Sequence, residues 1–553
     1  MKCALAILLL SCAAFAQESY DVILSGGKIV DGTGDQWFYG DVAIKGDRIA
    51  KITGAGLLNG AQAKQRINVH GLVVAPGFVD IQGGLGGPSV SKIYQGVTLE
   101  VAGEGYTPAP SNDLTRAASA SLGQTGREEQ KFDGPHGFDR MLTAAEKRGS
   151  AINFGSYVGA STVRAYVKAM APGKATPDEI AKMQQLVAEA MEDGAFGIGS
   201  ALIYPPATYV DTDELAEITK PVGKYRGIYI SHIRSESDGL LEAVDEAIEI
   251  ERRANTPVEI YHLKAAGKRN WAKEAALIKK INDARAAGQD VSACMYPYTA
   301  GATGLTSVLP PWTAENGKLF DNLADPATRE RIKTEMADPN SKWENMGQLA
   351  GPEGILIVGL KKPENQKYAG KRLNEIAMMM GKDWRDAAMD LILSEHTRVG
   401  TIYFLMSEEN VKEQLRQPWI KFGIDGTSLD PEKVKGQFTH PRAYGTYPRI
   451  LGLYVRDEKV LPLEDAVRKM TSAATRRLGI RDRGLLQEGL YADVTVFNSE
   501  TIKENSTYDN PNQLSSGIEY VFVNGVAVLN AGKLTGATPG RALRGPGYRA
   551  AQN

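Results

Sequence analysis

From about residue 76 to residue 484 the chain alternates short, β-branched apolar runs with longer polar stretches of helical spacing. Parallel strands need such crossovers, so the alternation specifies a parallel sheet covered by helices. Eight candidate strands end near Gln82, Glu104, Val158, Leu202, His232, His262, Tyr296 and Asp425. Eight strand–helix units predict an α/β fold of the (β/α)8 barrel type. Residues 177–194 show what covers the strands. Ile180, Met183, Leu186 and Val187 share one helical face, Thr176 is placed to cap the helix, and Pro177 suits its first position.

The two ends of the chain have a different texture. Tyr20–Leu24, Asp41–Ile44 and Arg48–Ile52 read as strands, the last two joined by a turn at Lys45-Gly46-Asp47. Ala492–Phe497 and Ile518–Val523 read the same way, with a turn at Asn524-Gly525. A small β-sandwich built from both termini, residues 17–75 and 485–553, is therefore expected around a barrel of residues 76–484. Too many residues lie between Tyr296 and Asp425 for a loop. They carry helix-like stretches at Arg329–Met336 and Trp384–Glu395 and strand-like runs at Ile355–Val358 and Thr401–Leu405. An insertion after the seventh strand, about 304–415, is expected on the catalytic side of the barrel as a lid.

A chain of 553 residues with a formal charge of −2 lacks the basic excess that phosphate binding needs, so nucleic acid is not expected as a partner. Met1-Lys2, the apolar run Cys3–Ala16 and small residues at Ala14 and Ala16 form a secretory signal peptide, residues 1–16. Leu9-Leu10-Ser11-Cys12 fits a lipoprotein signal less well, because leucine precedes the serine. Cleavage after Ala16 and a periplasmic or extracellular location are expected ahead of an anchor at Cys12. Removing that leader leaves Cys294 alone of three cysteines, so the fold must rest on a large core rather than disulfides. No later stretch reaches the roughly 18 to 20 apolar residues of a membrane span.

In a barrel, side chains at the C-terminal ends of strands face the active site. Ile228–Ser231 leads into His232, Val258–Tyr261 into His262, Leu99–Gly103 into Glu104, and Ile420–Ile424 into Asp425. Two imidazoles and two carboxylates thus converge on one mouth, a donor set that suits a divalent metal, with zinc favoured by the nitrogen ligands. Of the six histidines, His70, His136 and His396 fall in the terminal sheet, a loop and after a helix, and read as structural or surface residues. A metal with an open position lowers the pKa of bound water toward ~7 and polarises a carbonyl. Hydrolysis then needs a base, for which Asp425 is the candidate. Asp425-Gly426-Thr427-Ser428 would also cap a helix, and the residues alone leave both readings open.

Several longer motifs in order carry a resemblance. They are Val73–Asp80, Gln95–Thr98 with Gly103-Glu104-Gly105, Ser231-His232-Ile233-Arg234-Ser235-Glu236, His262-Leu263-Lys264, Tyr296–Gly301, His440–Thr446 and Glu488–Asp493. With these the chain resembles the amidohydrolase superfamily and, within it, the D-aminoacylase group of N-acyl-D-amino-acid deacylases. The resemblance implies that His232 and His262 bind the main metal and that Glu104 serves as a ligand where many members have cysteine. It further implies Asp425 as general base, Arg442 and Lys264 on the substrate carboxylate, and Tyr204 and Tyr296 polarising the carbonyl or lining the pocket.

One departure stands out. After the aspartate matching Asp80 the family usually has His-x-His, whereas this chain reads Asp80-Ile81-Gln82-Gly83-Gly84. A second metal in the usual position is not expected, and one Zn2+ per chain is. The bare Gly83-Gly84 loop is expected to widen the pocket or let backbone approach a ligand. The resulting expectation is a hydrolase that uses metal-activated water on the linear amide of N-acyl amino acids or small dipeptide-like compounds. A cyclic-amide hydrolase of the hydantoinase or dihydroorotase kind is one rival. A secreted binding protein on a decayed hydrolase barrel is the other.

Overall fold

The computed structural model describes residues 19–124 and 131–549. The expected leader at 1–16 lies outside them. Eight barrel strands are present: β1 (Phe78–Asp80), β2 (Val97–Ala102), β3 (Asn153–Ser156, continued at Val158–Gly159), β4 (Gly197–Ala201), β5 (Ile228–His232), β6 (Val258–Ile260), β7 (Val291–Met295) and β8 (Ile420–Phe422). Consecutive strands pair in parallel. They form two arcs, β1–β3 and β3–β8, that meet where β3 is interrupted at Tyr157. The ring closes between β8 and β1, where Asp425 N donates to Gln82 O (3.0 Å) and Ile424 N to Asp80 Oδ1 (2.9 Å). Each expected strand end falls within three residues of the observed one.

Val79, Ile81, Leu99, Val101, Phe196, Ile230 and Cys294 fill the inside of the barrel; Cys294 is a free, buried thiol. The outer helices press against the strands from the other side. Helix Pro177–Glu192 starts at a capping box, Thr176 Oγ1 accepting from Glu179 N (3.3 Å) and Glu179 Oε2 from Thr176 N (2.7 Å). It buries Met183, Leu186, Val187, Ala190 and Met191, while Ile180 stays half-exposed. Each large apolar side chain so buried contributes roughly 1.5–3 kcal/mol.

Both termini build one nine-stranded sheet, with Ser19–Ile29, Phe38–Lys45, Arg48–Gly54, Gln62–Asn68 and Val73–Pro76 from one end and Val494–Phe497, Ile518–Val523, Val526–Asn530 and Lys533–Leu534 from the other. Strand Ser19–Ile29 carries a bulge between Leu24 and Gly27. Its first half pairs with Gln62–Asn68 and its second with Val73–Val74. The sheet thus folds around Val22, Leu24, Val42, Ile44, Val74, Val494, Val496 and Phe522, the small β-sandwich. The tail beyond residue 538 leaves this sheet and runs along the barrel: Phe154 N donates to Arg541 O, and Leu543 N to Phe154 O.

The stretch between β7 and β8 has its own core, including Leu305, Ile355, Ile357, Ile376, Leu391 and Tyr403. Its three antiparallel strands, Ala300–Gly304, Gly400–Phe404 and Ile355–Gly359, form a sheet over the barrel mouth, backed by helices Pro326–Ala337 and Trp384–Glu395. No helix among the described residues is long and apolar enough to cross a membrane.

Candidate metal centre and active site

Glu104 leaves the end of β2 through Gly103, whose φ of 112° belongs to the left-handed region. A Cβ at residue 103 would stand 2.3 Å from Tyr157 O, so only glycine lets the chain turn there. His232 is the last residue of β5. His262 and Asp425 follow β6 and β8 with φ of 32° and 53°, left-handed conformations that cost a non-glycine residue about 1–3 kcal/mol. Those turns aim both side chains into the mouth. Glu104 Oε1 lies 3.4 Å from His232 Nδ1 and 3.3 Å from His262 Nε2. The three donor atoms lie within 4.8 Å of one another. Neither buried nitrogen of His232 makes a well-formed hydrogen bond. A buried imidazole nitrogen without a formed hydrogen bond, facing another imidazole and a carboxylate, is costly in a protein alone and fits a divalent ion.

The other oxygen of Glu104 is taken. Gln82 Nε2 donates to Glu104 Oε2 at 2.6 Å, so the residue that departs from the expected His-x-His holds the candidate ligand carboxylate. Gly83 lines a cavity of about 190 Å³ beside Glu104 and Asp425, and both Gly83 and Gly84 also lie against the Glu100 carboxylate. A Cβ on Gly83 would be 2.8 Å from Glu100 Oε2 and Lys92 Nζ. Gly84 N and Gly86 N donate to the Glu100 carboxylate (2.7 and 3.0 Å). Beneath this loop Lys92 Nζ bridges Asp80 (2.8 Å) and Glu100, all three side chains buried. Asp80 Oδ1 accepts from Gln82 N (3.0 Å) and Ile424 N, so one buried cluster fixes the backbone leading to both Gln82 and Asp425.

Glu236 is a functional candidate that the sequence reading passed over. Its Oε1 lies 2.9 Å from His262 Nδ1 and 2.5 Å from Lys264 Nζ, and its Oε2 is 3.6 Å from His232 Nε2. His262 Nδ1 also lies 2.8 Å from Lys264 Nζ, so the Glu236–Lys264 pair together orients the ring with Nε2 toward Glu104. The signal for Glu236 was present, an acid four residues after His232, but it sits in the loop beyond the strand. Burial opposes charge on these groups, yet the cluster prevails. His232, Lys264 and His262 hold the Glu236 carboxyl below its usual value, and the two histidines do the same for Glu104. Against burial and Lys264, the Glu236 and Glu104 carboxylates lift His262 to about 9. Metal ligation would replace that proton.

Lys264 and Arg442, expected to await a substrate carboxylate, both have carboxylate partners within the protein. Lys264 is on Glu236, and Arg442 Nη1 is 2.7 Å from Asp425 Oδ2. His440 seats Arg442: its Nδ1 accepts from Arg442 N (3.0 Å) and its Nε2 faces Ala300 O (2.8 Å). No helix follows Asp425 until Arg442–Arg449, so the capping alternative for Asp425 falls away. Burial raises the Asp425 carboxyl to about 6, with Arg442 opposing and Glu104 adding. Tyr204 stands edge-on to His232 (ring centroids 5.3 Å) and Tyr296 to His262 (6.2 Å), and burial keeps both phenols protonated. His70 is exposed, His136 pairs with Asp193 (2.7 Å) and His396 stacks on Phe320 (3.7 Å), all outside the site.

These groups line a cavity of about 460 Å³, roofed by Gly301–Gly304, Gly400, Tyr403 and Leu405 of the insertion. That volume lies in the usual range for small-molecule sites. Barrel, donor set and the half-buried acid beside them together define the class of metal-dependent hydrolases.

A profile of the amidohydrolase family matches residues 410–529. The chain is 34% identical to the D-aminoacylase of Alcaligenes xylosoxydans xylosoxydans over 95% of its own length and 98% of that protein. A solved D-aminoacylase, described by its binuclear metal centre with one-metal activation and second-metal attenuation, superposes with a TM-score of 0.79 at 33% identity, over 95% of this chain and 100% of that one. The N-acyl-D-glutamate deacylase of Bordetella bronchiseptica, solved with zinc and a phosphonate mimic of the tetrahedral intermediate, superposes at 0.78 and 29% identity over the same shares. The chain belongs to the amidohydrolase family, in the group of the D-aminoacylases.

Proposed function

We propose that the protein is a deacylase that hydrolyses the linear amide of N-acyl-D-amino acids with a single zinc ion held by Glu104, His232 and His262. The observation that carries this reading is the convergence of two imidazoles and a carboxylate, with no hydrogen bond formed by either nitrogen of His232, at a cavity lined by the insertion. A divalent ion there supplies Lewis acidity, polarising the scissile carbonyl and lowering the pKa of water. Gln82, whose amide donates to Glu104 Oε2, supports the reading of one ion rather than two.

The chain's own groups do the rest. Asp425 takes the proton of the attacking water and passes it to the departing nitrogen. Arg442 holds Asp425 in place and, with Lys264, offers charged donors to the α-carboxylate of the substrate. Tyr204 and Tyr296, protonated and flanking the histidines, donate to the carbonyl oxygen and orient the substrate. The insertion sheet lines one side of the cavity and narrows its access to water. Export by the leader at residues 1–16 belongs to the same reading and places the enzyme in the periplasm or outside the cell.

Asp425→Asn tests the mechanism. It removes the base and keeps the shape, so kcat is expected to fall about 10²–10⁴-fold while zinc stays bound. Activity within a few-fold of wild type would remove Asp425 from its role.

A further inference from the structure

The three other cations beside the cavity's donor groups are Lys264, Arg442 and Arg398. The first two have carboxylate partners, as described. Arg398 has none. Its Nη2 donates to Thr303 Oγ1 (3.0 Å) and its guanidinium lies 4.9 Å over the Tyr204 ring. Among the described residues no carboxylate is within ion-pair reach of it, although it is half-buried. Glycine at 304 makes room for it, since a Cβ there would stand 2.8 Å from Arg398 Cβ and 2.9 Å from its Nε. Val399, the next residue, has φ 51°, a conformation that a β-branched side chain resists. Gly304 and this turn set the backbone from which the guanidinium reaches Thr303 Oγ1 and the Tyr204 ring.

Charge counting gives the seat a purpose. With neutral histidines the cavity holds three carboxylates (Glu104, Glu236, Asp425) and three cations (Lys264, Arg398, Arg442). A divalent ion would leave an excess of two positive charges. One α-carboxylate neutralises half of it. Arg398 also lines a second, adjoining cavity of about 190 Å³, with apolar walls that include Leu122, Ile203 and Leu309. Of the other charged groups there, Arg234 is paired with Glu246, and Glu344 accepts from Ser235, Ser237 and Glu236 N. Lys342 is exposed on the rim.

We propose that Arg398 is a specificity-determining residue that binds a second carboxylate of the substrate, so that dianionic N-acyl amino acids are preferred over monoanionic ones. This rests on the deacylase reading. A guanidinium fixed by a hydroxyl and a ring face, with its remaining donors free, suits a planar carboxylate. The second carboxylate can come from an acidic side chain or from a dicarboxylic acyl group, and the test separates these sources.

The zinc-loaded full-length enzyme is assayed on N-acetyl-D-glutamate against N-acetyl-D-glutamine, and on N-succinyl-D-methionine against its succinamoyl amide. Binding of D-glutamate and D-glutamine is measured by calorimetry alongside. A charged hydrogen-bonded contact of ordinary strength predicts that kcat/KM favours the acid over its amide by about tenfold or more in at least one arm. Arg398→Gln should remove that preference while changing the neutral substrate less than about threefold, and Arg398→Lys should retain part of it. Preference in the first arm assigns the side chain, and in the second the acyl group. Equal rates for acid and amide in both arms of the wild type overturn the proposal, as does an equal fall on both substrates in Arg398→Gln. Hydrolysis of none of the four overturns the deacylase reading itself.

Discussion

Lys92→Met tests whether the buried cluster under the first catalytic loop holds the site together. Lys92 and Asp80 are 0% exposed and Glu100 is 1% exposed, so none of the three charges is solvated. Burial works against charge on Lys92, but Asp80 and Glu100 raise its pKa above the ordinary lysine value. The ammonium's contribution is therefore complete throughout the neutral range and is lost only as pH rises through that raised value. Removing one partner of a buried ion pair typically costs 3–5 kcal/mol, because the remaining charge is left uncompensated. Here two carboxylates remain, but four peptide N–H groups, from Gln82, Gly84, Gly86 and Ile424, still reach them. The expected loss is about 3 kcal/mol. Urea unfolding at pH 7, followed by tryptophan fluorescence and far-ultraviolet dichroism, measures it, provided both probes move together. Activity should fall too, since Asp80 fixes the backbone before Gln82 and Asp425. The triple variant D80N/K92M/E100Q, which leaves no buried charge, should recover at least half of the loss. A cost below about 1 kcal/mol for Lys92→Met, or a triple variant no more stable than the single, would refute the reasoning.

Two further outcomes follow from other groups. Glu274, on the helix after β6, is buried with Oε1 accepting from Gln414 (2.9 Å) and Oε2 unpartnered, and burial raises its carboxyl from 4.5 to about 7. A folded value above the unfolded one means stability falls as pH rises through the window between them, by about 3 kcal/mol in full. Glu274→Gln should match wild type near pH 5 and unfold later at pH 8; a gap independent of pH contradicts this. Glu236→Gln should weaken zinc binding about 10–100-fold in competition with a chelator, because the two histidines lose the negative charge behind them and Lys264 loses its counter-ion. Unchanged affinity would make Glu236 a partner of Lys264 alone.

The strand ends were legible because each is a polar residue closing an apolar run, and in a barrel such residues share one mouth. Glu104, His232, His262 and Asp425 were found that way. Glu236 and Arg398 were not, for a physical reason. They sit on a loop and in the insertion, where no periodicity says which way a side chain points. The pairing of Arg442 with Asp425 and of Lys264 with Glu236 was hidden likewise, since partners 17 and 28 positions apart meet only once the barrel closes. Gln82 reads as a residue that replaces a ligand yet can still hydrogen-bond, and only the fold shows that its partner is Glu104. Gly83 and Gly84 read as a bare loop, and only the fold shows that this loop also packs on Glu100.

The most direct test of the central claim is a zinc titration of the metal-free protein, following bound zinc and hydrolysis of N-acetyl-D-amino acids together. The account predicts that activity rises in step with occupancy, is complete at one equivalent per chain, and is absent from His232→Ala. Hydrolysis that survives metal removal, or a fully loaded protein that cleaves no N-acyl amino acid of either hand, would contradict it.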